Sequence, residues 1–237
     1  MRVVLTLIAL LLFQKAVGRV GWKIADLFDF VAVDPDQLFA ALSMHHLVLL
    51  VLTMIVIVIL SKLLHENFGF QTGDQKMGLR ILLIFSAVII VVAFLYHGLL
   101  AQLGQPIPYD FELNKMNVFG TLGFQLLLSG PSEEILYRAL PMTLLAFVSG
   151  KNRSPRKDVS PEVICSAVLF TLAHLQWSLI PFSIGEINPF SLAYAFGMGL
   201  LNGIGFQKTR SILYPILMHS ISNVVMVGTG YVFSILI

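Results

Sequence analysis

Glu133 and Glu134, with Arg138 four residues beyond the second glutamate, interrupt a stretch that carries no other charge between Asn117 and Ser149. Ionisable groups in a membrane-embedded segment are costly, by several kcal/mol, unless they pair or face a wet cavity. Other polar side chains lie in later apolar runs: His174 and Gln176, then Asn202, then His219 and Asn223; Gln125 precedes the glutamates. A carboxylate beside an imidazole can take a proton from water. Imidazole and carboxamide N–H groups can stabilise the oxyanion of a tetrahedral intermediate. Together these residues form a kit for water attack on a peptide bond with no covalent intermediate. Metal binding through Glu133, His174 and His219 is a competing use of the same side chains, and the spacing leaves both open.

Helical spacing sorts the groups further. Glu134 and Arg138 are four apart, in the orientation that favours an ion pair. Glu133 is rotated about 100° from Glu134 on a helix, so the two carboxylates need different partners. Glu134 is therefore expected in the ion pair and Glu133 on a cavity. Phe170 and His174 share a helix face, as do His219 and Asn223, which can donate to one point. The chain has no HExxH zinc motif and no GxSxG nucleophile elbow. Gly73-Asp74 lies in a polar loop, which argues against an intramembrane aspartyl protease.

The elements that must position these groups are transmembrane helices. Of 237 residues, 57% are hydrophobic and 12% charged, against about 25% charged in soluble domains. Several apolar runs approach the roughly 20 residues that span a bilayer. The expected fold is all-α: a polytopic bundle of about seven to eight helices, one of them bent and carrying the glutamates. Residues 1–237 form one integral membrane domain, because no polar linker divides them. A net charge of +2 is no nucleic-acid signature. Cys165 is the single cysteine, which excludes an internal disulfide and reads as a buried apolar residue.

The spans run over 37–60, 81–100, 116–149, 161–180, 188–206 and 211–237, behind a first apolar run at 3–13. That run reads as an uncleaved helix, with Ala16-Val17-Gly18 as a possible signal-cleavage site in the alternative. Basic loops at 61–80, 150–160 and 208–210 belong on the cytoplasmic side by the positive-inside rule. The acidic segments 19–37 and 103–115 then fall outside. This agrees if 116–149 crosses once, bending near Pro131, with Ser132 available as a cap. The glycines of 188–206 permit close helix contact, within the chain or between chains.

Counting along each helix at 1.5 Å per residue puts Glu133 about 25 Å, His174 about 20 Å, His219 about 12 Å and Asn223 about 18 Å from their cytoplasmic ends. A lone intramembrane histidine is commonly interhelical glue, and a Glu–Arg pair can merely clamp two helices. Two glutamates, an arginine, two histidines and an asparagine at middle depth point instead to function.

Glu-Glu-x-x-x-Arg (Glu133, Glu134, Arg138), Phe-x-x-x-His (Phe170, His174) and His-x-x-x-Asn (His219, Asn223) occur in that order. In this the chain resembles the CPBP family over residues 116–237. That family holds type II CAAX prenyl endopeptidases, abortive-infection-like proteins and bacterial relatives linked to bacteriocin processing and self-immunity. The resemblance implies a glutamic intramembrane endopeptidase with no required metal and no cofactor. By it, Glu133 and His174 activate water, His219 and Asn223 form the oxyanion hole, and Glu134 and Arg138 orient the site, or Arg138 meets a substrate carboxylate. The expected partners are the bilayer and a membrane-associated peptide or protein: a precursor, a C-terminal tag or a CAAX-like tail. The expected location is the prokaryotic cytoplasmic membrane, crossed several times. A non-proteolytic immunity or scaffold protein of the same family is the alternative, and an ion-coupled transporter a weaker one. Where that family commonly has Phe-Arg-Gly, this chain has Tyr137-Arg138-Ala139.

Overall fold

A computed structural model describes residues 1–105, 109–150, 159–175, 177–179 and 182–236. Seven helices are present among the described residues: α1 (Arg2–Ala25), α2 (Ala40–Leu64), α3 (Gln75–Gln102), α4 (115–148), α5 (Pro161–Ala173), α6 (Pro189–Thr209) and α7 (Leu213–Leu236). Four of them, α1, α2, α3 and α7, are long and apolar enough to cross a membrane. The chain is an all-α integral membrane bundle.

Polar side chains start several helices. Asp74 accepts from the Met77 N–H ahead of α3, Asn114 from the Asn117 N–H at α4, and Asn188 from the Ser191 N–H at α6. Each satisfies one of the backbone donors orphaned at a helix N-terminus. Buried Asp34 does more, accepting from the N–H groups of Leu38, Phe39 and Ala40 at the start of α2.

The loops sort to two ends as the charge pattern requires. At one end the Asp74 N–H donates to Thr209 O, Ile212 N–H to Gly69 O and Ser160 N–H to the Gln207 side chain. The described ends of the three basic connections therefore adjoin. At the other end Asn117 Nδ2 donates to Asp36 Oδ2 at 2.7 Å and to Glu112 O at 2.8 Å, joining the two acidic segments.

Helix α4 is the central element. It packs against α1, α2, α5, α6 and α7, and Leu136, Ala139 and Leu140 on it are buried. Two π-helical turns, Gln125–Ser129 and Ile135–Ala139, interrupt it, one just before Pro131 and one just before Pro141. Proline lacks the N–H that the carbonyl four residues earlier would accept, and a widened turn absorbs the mismatch. At Pro141 the carbonyl left over is that of Tyr137, which accepts from the Ser166 hydroxyl of α5. Ser132 does not cap a new helix, as its sequence position suggested. The backbone stays helical through Ser129 and Gly130, so no helix N-terminus exists to cap. The Ser132 hydroxyl instead donates back to Leu128 O at 2.7 Å.

A second expectation is revised at α5. The span expected over 161–180 ends as a helix at Ala173, and Trp177–Leu179 pairs antiparallel with Phe182–Ile184. Thirteen residues make a rod of about 20 Å, short of a bilayer crossing. The glycine-rich α6 packs within the chain: Gly199 lies against Ala167 and Gly203 against Val163, where an added Cβ would approach to 3.0 Å and 2.9 Å.

Candidate active site

The site is built where α4 crosses α2, α5 and α7. Gly130 sets the approach of α7. A Cβ there would collide with the Ser220 hydroxyl and come within 3.0 Å of Ile216 O and 3.1 Å of Ser220 N. This close crossing brings His219 alongside the glutamates one turn further on.

Glu134 points into the protein and is fully buried, as is Arg138. Its Oε2 lies 3.2 Å from Arg138 Nε, giving the ion pair expected from the spacing. Its Oε1 accepts from His219 Nδ1 at 2.6 Å and from Asn202 Nδ2 at 2.9 Å. The Arg138 guanidinium also covers the Phe170 ring, 4.1 Å from its centroid. One carboxylate thus ties α4 to α6 and α7, and its cation rests on α5.

Glu133 turns the other way, onto a cavity of about 510 Å³. Its side chain keeps 17% of its exposure. His46 Nε2 is 3.8 Å from Oε1, and His219 Nε2 is 3.7 Å from Oε2. These separations exceed a direct hydrogen bond. A water oxygen about 2.8 Å from both a carboxylate oxygen and a ring nitrogen closes a triangle on either edge.

The ring tautomers follow from their partners. Ser132 has one hydroxyl proton and gives it to Leu128 O, so it accepts from His46 Nδ1, 2.7 Å away. His174 Nδ1 donates to Phe170 O at 3.0 Å, and His219 Nδ1 donates to Glu134. All three imidazoles are anchored through Nδ1–H, which leaves Nε2 as the working atom of each. His174, exposed at the C-terminal end of α5, lines the same cavity.

Asn223 also lines the cavity, but its amide is engaged. Nδ2 donates to Gln125 Oε1 at 2.8 Å and to Ser129 Oγ at 3.0 Å. His219 and Asn223 therefore share a helix face without converging on one acceptor in this state. The remaining wall is apolar, with Phe124, Phe170, Phe190, Met198 and Met226 among its members. Among the described residues no group of three His, Cys, Asp or Glu side chains adopts a metal-binding arrangement.

The structure brings Glu133, His174, His219 and Asn223 to one cavity, with Glu134 and Arg138 packed behind. Gln176 lies outside the described residues. Arg138 is buried away from the cavity wall, so its geometry fits the orienting pair and not contact with a substrate carboxylate. His46 was not among the residues expected at the site, and Ser132 was expected only as a helix cap. The signal was present: His45-His46 is the only ionisable pair in the apolar run 38–60.

No curated protein and no solved structure matches the chain. The profile of the family described as Type II CAAX prenyl endopeptidase Rce1-like matches residues 115–225. The matched segment contains every glutamate, histidine and asparagine at the site except His46. Residues 115–225, a little under half of the chain, are thus similar to the family described as Type II CAAX prenyl endopeptidase Rce1-like.

Proposed function

We propose that this protein is an intramembrane glutamic endopeptidase that cleaves a membrane-associated peptide or protein. The supporting observation is the Glu133 carboxylate, standing on a largely apolar cavity between two Nε2 atoms fixed by their Nδ1 partners. Glu133 takes a proton from water as the oxygen attacks the peptide carbonyl carbon. The proton passes to the leaving amine as the C–N bond breaks. His174, on the same wall, pairs with Glu133 in activating water, as the resemblance implies. Asn223 exchanges its Ser129 contact for the developing oxyanion, and His219 in its imidazolium form supplies the second donor from Nε2–H, while its Nδ1–H stays on Glu134. Preorganised donors of this kind are worth about 2.7–4 kcal/mol each. Glu134 and Arg138 hold His219 and Phe170 in place. No metal is required in this reading. The substrate is a precursor, a C-terminal tag or a CAAX-like tail, and the location a prokaryotic cytoplasmic membrane.

Quantitative mapping of peptide termini in membranes tests the proposal. Membranes carrying the wild-type chain are expected to contain new termini that vanish with Glu133→Ala and His174→Ala at unchanged protein abundance. Termini that persist in both variants would sink it.

A further inference from the structure

A second cavity, of about 350 Å³, lies between α1, α2 and the end of α5, and its lining is unlike that of the first. Lys15 and Arg19 of α1 face it, four residues apart on one helix face. So do Trp22 and Trp177, the only two tryptophans in the chain. Lys15 Nζ donates to Trp177 O at 3.1 Å and sits 4.1 Å above the Trp177 ring. Trp22 stacks on His45, with centroids 4.4 Å apart. Among the described residues no carboxylate forms an ion pair with Lys15 or Arg19.

Two residues of the lining carry a buried polar atom with no partner: Gln14 Oε1, and His45 Nδ1, which packs against Gly21 of α1; the residues are 5% and 8% exposed. An unmet buried polar group costs about 1–3 kcal/mol, so Gln14 Oε1 asks for a ligand that carries a donor. Two like charges on one face ask for a ligand that is anionic. Tryptophan and basic side chains gather at the headgroup level of membranes. Beside the pocket, α1 presents exposed Leu12 and Val20, an apolar surface along which acyl chains can lie.

We propose that this pocket binds the headgroup of an anionic phospholipid, with phosphatidylglycerol as the simplest example. The phosphodiester meets Lys15 and Arg19, while a headgroup hydroxyl donates to Gln14 Oε1. The pocket is separate from the Glu133 cavity. Tyr137 lines it and packs against Phe170 of the catalytic wall, 5.4 Å between ring centroids. The site does not depend on whether the chain hydrolyses peptides.

Both tryptophans lie in the pocket, so intrinsic fluorescence of the purified full-length chain in detergent reports occupancy directly. Phosphatidylglycerol is expected to give a saturable change that phosphatidylcholine does not. Arg19 is solvent-exposed, and Arg19→Gln is expected to fold and to weaken the titration roughly fivefold, with roughly 25-fold for Lys15→Gln/Arg19→Gln. Arg19→Lys is expected to retain binding, and Lys23→Gln, one turn beyond the pocket, to match wild type. Equal responses to the two lipids, or equal effects of Arg19→Gln and Lys23→Gln, would overturn the proposal. So would displacement of the lipid by inorganic phosphate or by a carboxylate-terminated peptide, which would assign the pocket to those ligands.

Discussion

His219 Nδ1 donates to Glu134 Oε1 at 2.6 Å, within a cluster where Glu134 also engages Arg138 and Asn202. The bond fixes the ring so that Nε2 turns towards Glu133. The adjacent glutamates thus divide the work: one sets the geometry of a histidine, and the other faces the cavity with it.

The division predicts opposite behaviour for the two isosteric variants. Glu134→Gln leaves Arg138 as a buried cation without its counterion, a change worth about 3–5 kcal/mol. It should lower the thermal midpoint in detergent sharply. Glu133→Gln sits on the cavity wall and should leave the midpoint close to wild type. Equal midpoints for the two variants would remove the structural role assigned to Glu134.

The close crossing at Gly130 gives a second expectation. A Cβ at that position would strike the Ser220 hydroxyl and crowd two backbone atoms of α7. Gly130→Ala should destabilise by about 1–3 kcal/mol, as overpacking generally does, and should shift His219 relative to Glu133. Gly123, with nothing within 4 Å of an added Cβ, is the matched control: Gly123→Ala should be nearly silent in both stability and activity.

His46 lies outside the family-matched segment yet stands 3.8 Å from Glu133. His46→Ala should reduce turnover. Ser132→Ala removes only the acceptor at Nδ1, a contact worth about 0.5–1.5 kcal/mol, and should reduce turnover by less than His46→Ala. If both variants turn over at the wild-type rate, His46 has no part in positioning Glu133.

Much of this site was legible in the sequence, because helix phase is simple geometry. The spacing from Glu134 to Arg138 and the 100° rotation between neighbouring residues separated an ion-pair carboxylate from a cavity carboxylate. The charge asymmetry of the loops places the three basic connections together, and hydrogen bonds at Asp74, Ser160 and Ile212 join their described ends. Other features depend on tertiary contact and leave no local trace. The Asn202 partner of Glu134 was one polar residue in a glycine-rich span until α6 was seated. The early end of α5 at Ala173 was hidden by apolar strand residues that suit a helix equally well by hydropathy. Ser132 looked like a cap because it follows Gly130-Pro131, but a π-helical turn kept the helix continuous there.

The proposed chemistry also carries a metal prediction. Water activation by Glu133 with a histidine needs no Lewis acid, so prolonged treatment with EDTA or 1,10-phenanthroline should leave cleavage unchanged. Loss of activity on chelation, restored by added zinc, would favour the competing use of Glu133, His174 and His219 as ligands.

The central claim is that Glu133 is the general base. The most direct test compares purified wild-type and Glu133→Gln chains, reconstituted in the same liposomes, for cleavage of protein extracted from host membranes. Thermal midpoints are matched beforehand. General-base catalysis contributes about 10²–10⁴-fold, so the variant should lose at least about a hundredfold in rate while its fold is intact. A Glu133→Gln chain that cleaves at the wild-type rate would contradict the account.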